Sequence, residues 1–358
     1  MSKGTKRVPV SELRSYAEAV LTAAGTVAAD AKVVVDNLLD ANLRGVDSHG
    51  ISRLGIYCKR VELGLVARST EVTVVRACGI AALVSGNNGS GAVVGVKAMD
   101  LAIAKAKEFG IGVGGGKEST HCGTLAYYTS RAVREGLIGF AATNAPSTMP
   151  AWGARQPYFG TNPLSYAVPT GNPERPIVFD MATSTVARGK IILAAKIKQS
   201  IPEGWALDKN GYPTTDGQAA FEGLMLPVGG HKGSGLALLV EILSGVITGA
   251  AIGPQMGHLY GDFAKPQGTG HFFAAMKTDL FLSQEEFQAR IDHLCAEIRA
   301  LPPAPGHQAV LLPGDPERQT KAERLENGIP LSQEVIDELI ALGKCYGVDV
   351  ADYLPKGI

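Results

Sequence analysis

The sequence predicts an α/β fold of the α+β kind, and three observations carry that expectation. Apolar residues recur at helical spacing near both ends of the chain, over residues 9–43 and 332–346. Between them, short β-like runs such as EVTVVRA, AALVSG, IGFAATN and PIVFDM alternate with further helical stretches. Glycine-rich corners separate the runs, and with 44 glycines against 6% aromatic residues, alanine and valine are expected to fill much of the core.

At 358 residues the chain is larger than a single hydrophobic core usually grows, so two or more substructures sharing an interface are expected. Its 34 basic and 34 acidic residues cancel, which leaves no global field for nucleic acid or an anionic membrane and favours small-molecule partners. Cys58, Cys78, Cys122, Cys295 and Cys345 are odd in number, dispersed and free of any CxxC pair. They read as reduced thiols of a soluble, cytoplasmic protein, and metal ligation is not expected of them. The start, MSKGTKRVPV, lacks an apolar signal core, and no run reaches the ~18 apolar residues of a membrane span.

Taken in order, SELRSYAEAVLTAAG predicts a first helix with Ser11 as its cap, and residues 29–43 a second. Directly after it comes RGVDSHGISR, residues 44–53, where a hydroxyl, an imidazole and two guanidinium groups fall within one short stretch. Gly50 removes bulk beside His49, and an ordinary histidine titrates near pH ~6.5, so His49 can give or take a proton at neutral pH. Arg53 adds a planar fork suited to a carboxylate. The plainer reading makes Asp47 and Ser48 a helix cap or turn and His49 an ordinary polar residue. A third helix over residues 50–65, carrying Arg53 and Arg60, would set His49 near a helix start, where the dipole disfavours the imidazolium.

The strands EVTVVRA and AALVSG lead to GNNGSGAVVG and a long helix over residues 92–109. Gly89, Gly91 and Gly95 imitate a dinucleotide fingerprint, but the spacing is one residue too long and the candidate ribose acid, Glu108, lies inside the same helix. A structural turn is the favoured reading. A strand over residues 110–115, then STHCGTLAYY and another helix follow. Three further strand segments place Asn144, Thr161, Asn162, Asp180 and Thr183 at strand ends or corners. Ligand groups collect at such places, and turn backbone also needs polar partners there. Asn144 and Thr161 are the candidates for substrate contact.

A helix is expected over residues 187–199 and a turn-rich surface loop at WALDKNGYPTTD. LPVGGHKGSG sets Lys232 among glycines at the start of an apolar helix, an anion cradle that lacks the phosphate-loop spacing of nucleotide triphosphatases. HFFAAMKTD reads as a strand and SQEEFQARIDHLCAEIRAL as a helix capped by Ser283 and ended by PPAPG. Residues 332–346 form the last expected helix.

RGVDSHGISR, HCGTLAYY, WGA…YFGTNPLSYAVP, FDMATS…ARGK, WALDKNGYPTTD, LPVGGHKGSGLAL and PPAPGH…LLPG together resemble the malate/L-lactate dehydrogenase family. That family is unrelated to the Rossmann dehydrogenases, and the resemblance runs along nearly the whole chain. Its members include malate, sulfolactate and ureidoglycolate dehydrogenases, diketogulonate reductase and piperideine-2-carboxylate reductase. They exchange a hydride between a nicotinamide cofactor and a 2-oxo, 2-hydroxy or cyclic imino acid. The resemblance implies a homodimer with a non-Rossmann, mixed-sheet cofactor-binding domain at residues 76–279 and a helical domain formed by the two chain ends, 1–75 with 280–358.

The resemblance also implies roles. His49 matches the general acid/base, Ser48 its orienting hydroxyl and Arg53 a contact to the substrate carboxylate. His121, Cys122, Gly123, Thr124 and Leu125 match a segment that holds the dinucleotide, as do Asp180, Met181, Ala182 and Thr183. His231 with Lys232, and Gly306, His307 and Gln308, match two more such segments. In the ureidoglycolate branch the counterpart of His121 accepts the proton, so His121 competes with His49, the favoured choice. The expected cofactor is NAD, with NADP as the alternative. The expected substrate is malate with oxaloacetate, ahead of lactate, sulfolactate or ureidoglycolate. Downstream of Asp180, TVARGK carries no acid to complete the relay expected of imine-reducing relatives, which disfavours that chemistry. A metal-dependent hydrolase using His49, His121 and Asp180 is the rival from another class, but the seven histidines form no HxH or HExxH pair.

Overall fold

A computed structural model describes residues 5–355, so the outermost residues of the expected helical unit lie outside it. The two chain ends meet: Lys6–Val8 pairs antiparallel with Ile329–Leu331. Around this ribbon pack α1 (Val10–Ala23), α2 (Ala28–Leu43) and the helix Gln333–Tyr346. One core joins Leu13, Tyr16, Leu38 and Leu39 to Ile329, Ile336 and Leu339, and reaches Ile51 and Leu54 beside the RGVDSHGISR turn. Helical spacing near both termini thus becomes a helical layer under the site.

The middle of the chain forms a mixed sheet of seven strands. Their spatial order is Thr73–Cys78, Ala81–Ser85, Ile111–Ser119, Thr269–Lys277, Leu137–Thr143, Leu164–Val168 and Ile177–Met181. Ala81–Ser85 and Ile111–Ser119 run parallel, while the other neighbours pair antiparallel. The parallel pair is joined through α4 (Gly91–Phe109), a single βαβ crossover rather than a doubly wound sheet.

The strand Ile111–Ser119 explains the glycine and alanine content. A Cβ on Gly112 or Gly114 would fall 2.0 Å from the Ala102 carbonyl or 2.1 Å from that of Ala98, so α4 lies directly on the strand backbone. The dinucleotide-like glycines serve packing too. A Cβ on Gly91 would meet the Thr120 carbonyl at 2.1 Å, and one on Gly95 the Tyr128 ring at 2.6 Å. Thr70 and Thr120 hydroxyls accept from the Ser90 and Gly91 amides at 2.9 Å each, so the protein caps this helix start itself.

Several elements differ from the expectation. Helix α1 begins at Val10 behind Pro9, whose fixed φ already suits a helix entry, and Ser11 lies within its first turn without capping it. Residues 47–53 form two short 3-10 turns, and α3 (Leu54–Glu62) starts only at Leu54. The cause is Asn42, whose Oδ1 accepts the Ile51 amide at 2.7 Å and sits where a Cβ of residue 50 would lie. WALDKNGYPTTD is partly ordered, with Ala206–Leu207 paired to Pro213–Thr214. The apolar helix opened at His231 is α-helical to Glu241 and continues as a π-helical turn, Ile242–Val246. The helix Asp315–Asn327 was not expected, because DPERQTKAERLEN has no apolar stripe. Among the described residues no helix is long and apolar enough to cross a membrane, and all five cysteines are free thiols.

Candidate active site

The site grows out of the turn between α2 and α3. Asn42 Nδ2 donates to Asp47 at 2.6 Å, and Arg324, from the helix Asp315–Asn327, forks onto both oxygens of Asp47 at 2.6 and 3.0 Å. Such a bidentate pair fixes orientation as well as distance. The next two residues are therefore held in place: Ser48 Oγ lies 3.1 Å from His49 Nδ1, and Arg53 Nε donates to the Ser48 carbonyl at 2.8 Å. That bond spends Nε and leaves the two terminal nitrogens of Arg53 for a ligand.

His121 arrives from the end of the strand Ile111–Ser119 and stacks on His49, with ring centroids 5.7 Å apart and planes 25° from parallel. The Gly123 amide donates to His121 Nδ1 at 3.2 Å, so that nitrogen carries no proton and the Tyr57 hydroxyl, 2.6 Å away, must donate to it as well. The neutral ring then bears its proton on Nε2. The His121 amide donates to Gln267 Oε1 at 3.0 Å, which fixes the backbone behind the ring. Burial, then the Arg53 guanidinium, then His49 and His271, hold His121 well below the ordinary imidazole range. Burial and, second, Arg53 push His49 down to about 3. Both rings are neutral at pH 7, and a negative group beside Arg53 would ease their protonation by offsetting the second of these causes. Helix α3 starts five residues after His49, so burial and Arg53 replace the helix dipole expected from the sequence.

A second set of segments runs from His121 to the sheet edge. Asp180 Oδ2 accepts the Ala126 amide at 2.7 Å at the start of α5 (Ala126–Arg134), tying residues 121–125 to the edge strand Ile177–Met181. The protein around Asp180 pushes its carboxyl up, to about 6, against the amides of Ala126 and Leu125. The side chain is exposed, and at about 6 its carboxyl is ionised at pH 7. Thr183 bonds the Thr161 carbonyl through its amide at 2.8 Å and its hydroxyl at 3.0 Å. Its own carbonyl accepts the Val228 amide at 2.9 Å, three residues before the exposed His231 and Lys232. The exposed loop with Gly306, His307 and Gln308 joins the same edge where Pro313 accepts the Val178 amide at 3.0 Å.

The profile described as Malate/L-lactate dehydrogenase matches residues 8–340. This chain belongs to that family. It is 37% identical over 350 residues to a malate dehydrogenase of Pyrococcus abyssi, covering 96% of this chain and 95% of the relative. It is 38% identical over 338 residues to an L-sulfolactate dehydrogenase of Methanocaldococcus jannaschii, covering 94% and 96%. The solved structure of sulfolactate dehydrogenase from that organism superposes with a TM-score of 0.91 at 35% identity, over 97% of this chain and 99% of the other. The protein is therefore an oxidoreductase of the malate/L-lactate dehydrogenase family acting on 2-hydroxy acids, and the family implies a nicotinamide cofactor.

Not every site residue expected from the sequence faces this pocket. Asn144 is 1% exposed, with Nδ2 donating to the Ala251 carbonyl at 2.8 Å and Oδ1 accepting the Gly270 amide at 2.9 Å. Together with Asn162 it surrounds the buried Glu241. Thr161 engages Thr183 through its carbonyl and leaves its side chain partly accessible. Among the described residues no group of three or more His, Cys, Asp and Glu side chains is arranged to hold a metal, so the ligand set of the hydrolase alternative is not assembled. Sequence reasoning missed Tyr57, Tyr260 and Gln267. Tyr57 had a signal, lying four residues after Arg53 and therefore on the same helical face. Tyr260 and Gln267 approach from a distant segment with no local mark.

Proposed function

We propose that the protein is an NAD-dependent malate dehydrogenase in which His49 moves the proton and Arg53 holds the substrate carboxylate. The observation that carries this reading is the stacked pair of neutral imidazoles beside a guanidinium with two nitrogens to spare. Lactate, sulfolactate and ureidoglycolate are the alternative substrates, and NADP the alternative cofactor. The domain reading accompanies it, with residues 76–279 binding the cofactor and the chain ends, 1–75 and 280–358, forming the helical unit. A cytoplasmic homodimer fits the free thiols and the exposed apolar face of Leu238, Leu239, Val246 and Ile247.

The rim suits a dinucleotide. Thr124 Oγ1 is buried without a protein partner, within the segment 121–125 assigned to the cofactor. Asp180 to Thr183, His231 with Lys232, and Gly306 to Gln308 would hold the remainder. When bound, the nicotinamide would supply or remove the hydride at the substrate C2. The chain's own residues do the rest. Arg53 fixes the carboxylate, which places C2 and its oxygen at the histidines and makes the reaction effectively unimolecular. His121 donates from Nε2 to that oxygen, because Tyr57 and Gly123 hold its other nitrogen as an acceptor. Neutral His49 accepts the hydroxyl proton in the oxidation direction, and the substrate carboxylate offsets the Arg53 charge that opposes its protonation. Ser48 orients the ring.

The test is continuous absorbance of NADH and NADPH with oxaloacetate, pyruvate, sulfopyruvate and oxalurate. Turnover strongest with oxaloacetate and NADH supports the reading. Cofactor binding with no turnover of any of these acids would remove it.

A further inference from the structure

Arg60 is the largest fully buried side chain of the described residues and lies at the back of the site. Its guanidinium donates to four main-chain carbonyls of one short segment: Asp262 at 2.8 Å and His258, Leu259 and Lys265 at 3.2 Å each. The Phe263 ring closes over it, 5.9 Å from the guanidinium carbon. Nη1 serves three of these carbonyls and Nη2 the fourth, so two rigidly spaced nitrogens span residues 258–265 where an ammonium would offer a single one. A small cavity of about 30 Å³ beside Arg60 is also lined by Tyr57, His121, Leu259 and Gln267, so anchor and site share a wall.

The anchored segment touches the site at two points. Tyr260, at its crest, lies over Arg53 with the guanidinium carbon 5.6 Å from the ring centroid, and its side chain is otherwise exposed. Gln267, at its end, holds the His121 amide. An acid held by C1 on Arg53 and by C2 at the histidines has its C3 substituent left to meet what surrounds Arg53. There Tyr260 offers an uncharged hydroxyl donor beside a cation.

We propose that Tyr260 selects the substrate by an anionic group at C3, a carboxylate or sulfonate, and that Arg60 is the positioning residue that holds Tyr260 over Arg53. The inference rests on the reading of Arg53 as the carboxylate contact. It goes beyond that reading in naming the residue that discriminates one 2-oxo acid from another and the residue that places it.

The experiment measures kcat/KM of the full-length enzyme for oxaloacetate, sulfopyruvate and pyruvate in wild type, Tyr260→Phe, Tyr260→Ala, Arg60→Met and the Tyr260→Ala/Arg60→Met double variant. The ratio of either acidic substrate to pyruvate is expected to fall about tenfold in Tyr260→Phe, through KM, the size of one lost hydrogen bond to a charged group. Arg60→Met should lower the same ratio, and the double variant should fall no further than Tyr260→Ala alone. A merely structural Arg60 would reduce folded protein and scale all substrates together, leaving the ratio untouched. If Arg60→Met does not fold, Arg60→Lys, which keeps the charge and loses the fork, takes its place with the same expected ratio. An unchanged ratio in both Tyr260 variants overturns the selection role, and a lowered ratio there with none at Arg60 overturns the positioning role. A wild type that turns over none of the acids overturns the dehydrogenase reading itself, and the proposal with it.

Discussion

His271 and His121 lie within electrostatic reach of one another, and burial holds both neutral, yet they do different work. His271 is fully buried, with Nδ1 at 2.8 Å from the Thr143 hydroxyl and Nε2 at 2.8 Å from the Ser119 hydroxyl. Both ring nitrogens are spent on tying the strand Thr269–Lys277 to its neighbours on either side. His121 spends Nδ1 on Tyr57 and Gly123 and leaves Nε2 for a ligand, with its ring stacked on His49. Burial and a lowered proton affinity are common to the two. The unspent ring nitrogen separates a histidine open to a ligand from one that braces the sheet.

Substitutions at the two histidines and their partners should have different consequences. His271→Ala leaves the buried Ser119 hydroxyl without its partner and the Thr143 hydroxyl with only the Gly270 and Asn144 carbonyls, and should cost about 3 kcal/mol of folding stability by urea titration, with activity per folded molecule retained. Loss of activity at full stability would erase the distinction. A pH effect follows next in size. Burial pushes His271 down to about 3, below the ordinary ~6.5, so between these values the unfolded chain binds a proton that the folded chain does not. Stability from this group is therefore complete above pH ~6.5 and is lost as pH falls, by about 2 kcal/mol at pH 5. Unfolding at pH 7 and 5 should show that loss in wild type and a smaller one in His271→Ala. Tyr57→Phe frees His121 from its hydroxyl donor and should lower kcat/KM about tenfold without changing stability at pH 7. Ser48→Ala should cost about threefold in kcat, since the hydroxyl only orients His49.

Where the site was legible in the sequence, its parts were close along the chain. Ser48, His49 and Arg53 share one turn, where their residue types allow proton transfer beside a carboxylate contact as well as a plain turn, and the family resemblance supplies the roles. Tyr57 was visible only as a helical neighbour of Arg53. Arg324, Tyr260 and Gln267 come from the other half of the chain, and no local pattern marks a side chain whose partner is set by tertiary packing. The fold follows the same rule. Ser283 caps its helix through a reciprocal bond with Glu286, as SQEE indicates, and Ser332 caps the last helix. The helix Asp315–Asn327 is polar all round and held by contacts such as Arg299 with Asp315 and Arg324 with Asp47, which periodicity cannot register. The Rossmann-like glycines were rightly set aside on spacing, and the packing of Gly91 and Gly95 supplies the physical reason.

In the proposed reaction His49 moves the proton while His121 positions and polarises the carbonyl. Its most direct test compares His49→Gln with His121→Gln in single-turnover reduction of the best 2-oxo acid, with NADH affinity followed by fluorescence. His49→Gln is expected to lose about a thousandfold in the chemical step and keep its NADH affinity, while His121→Gln retains measurable chemistry with a raised substrate KM. A His49→Gln enzyme that turns over within about tenfold of wild type, beside a His121→Gln enzyme that does not, would contradict it and pass the proton to His121.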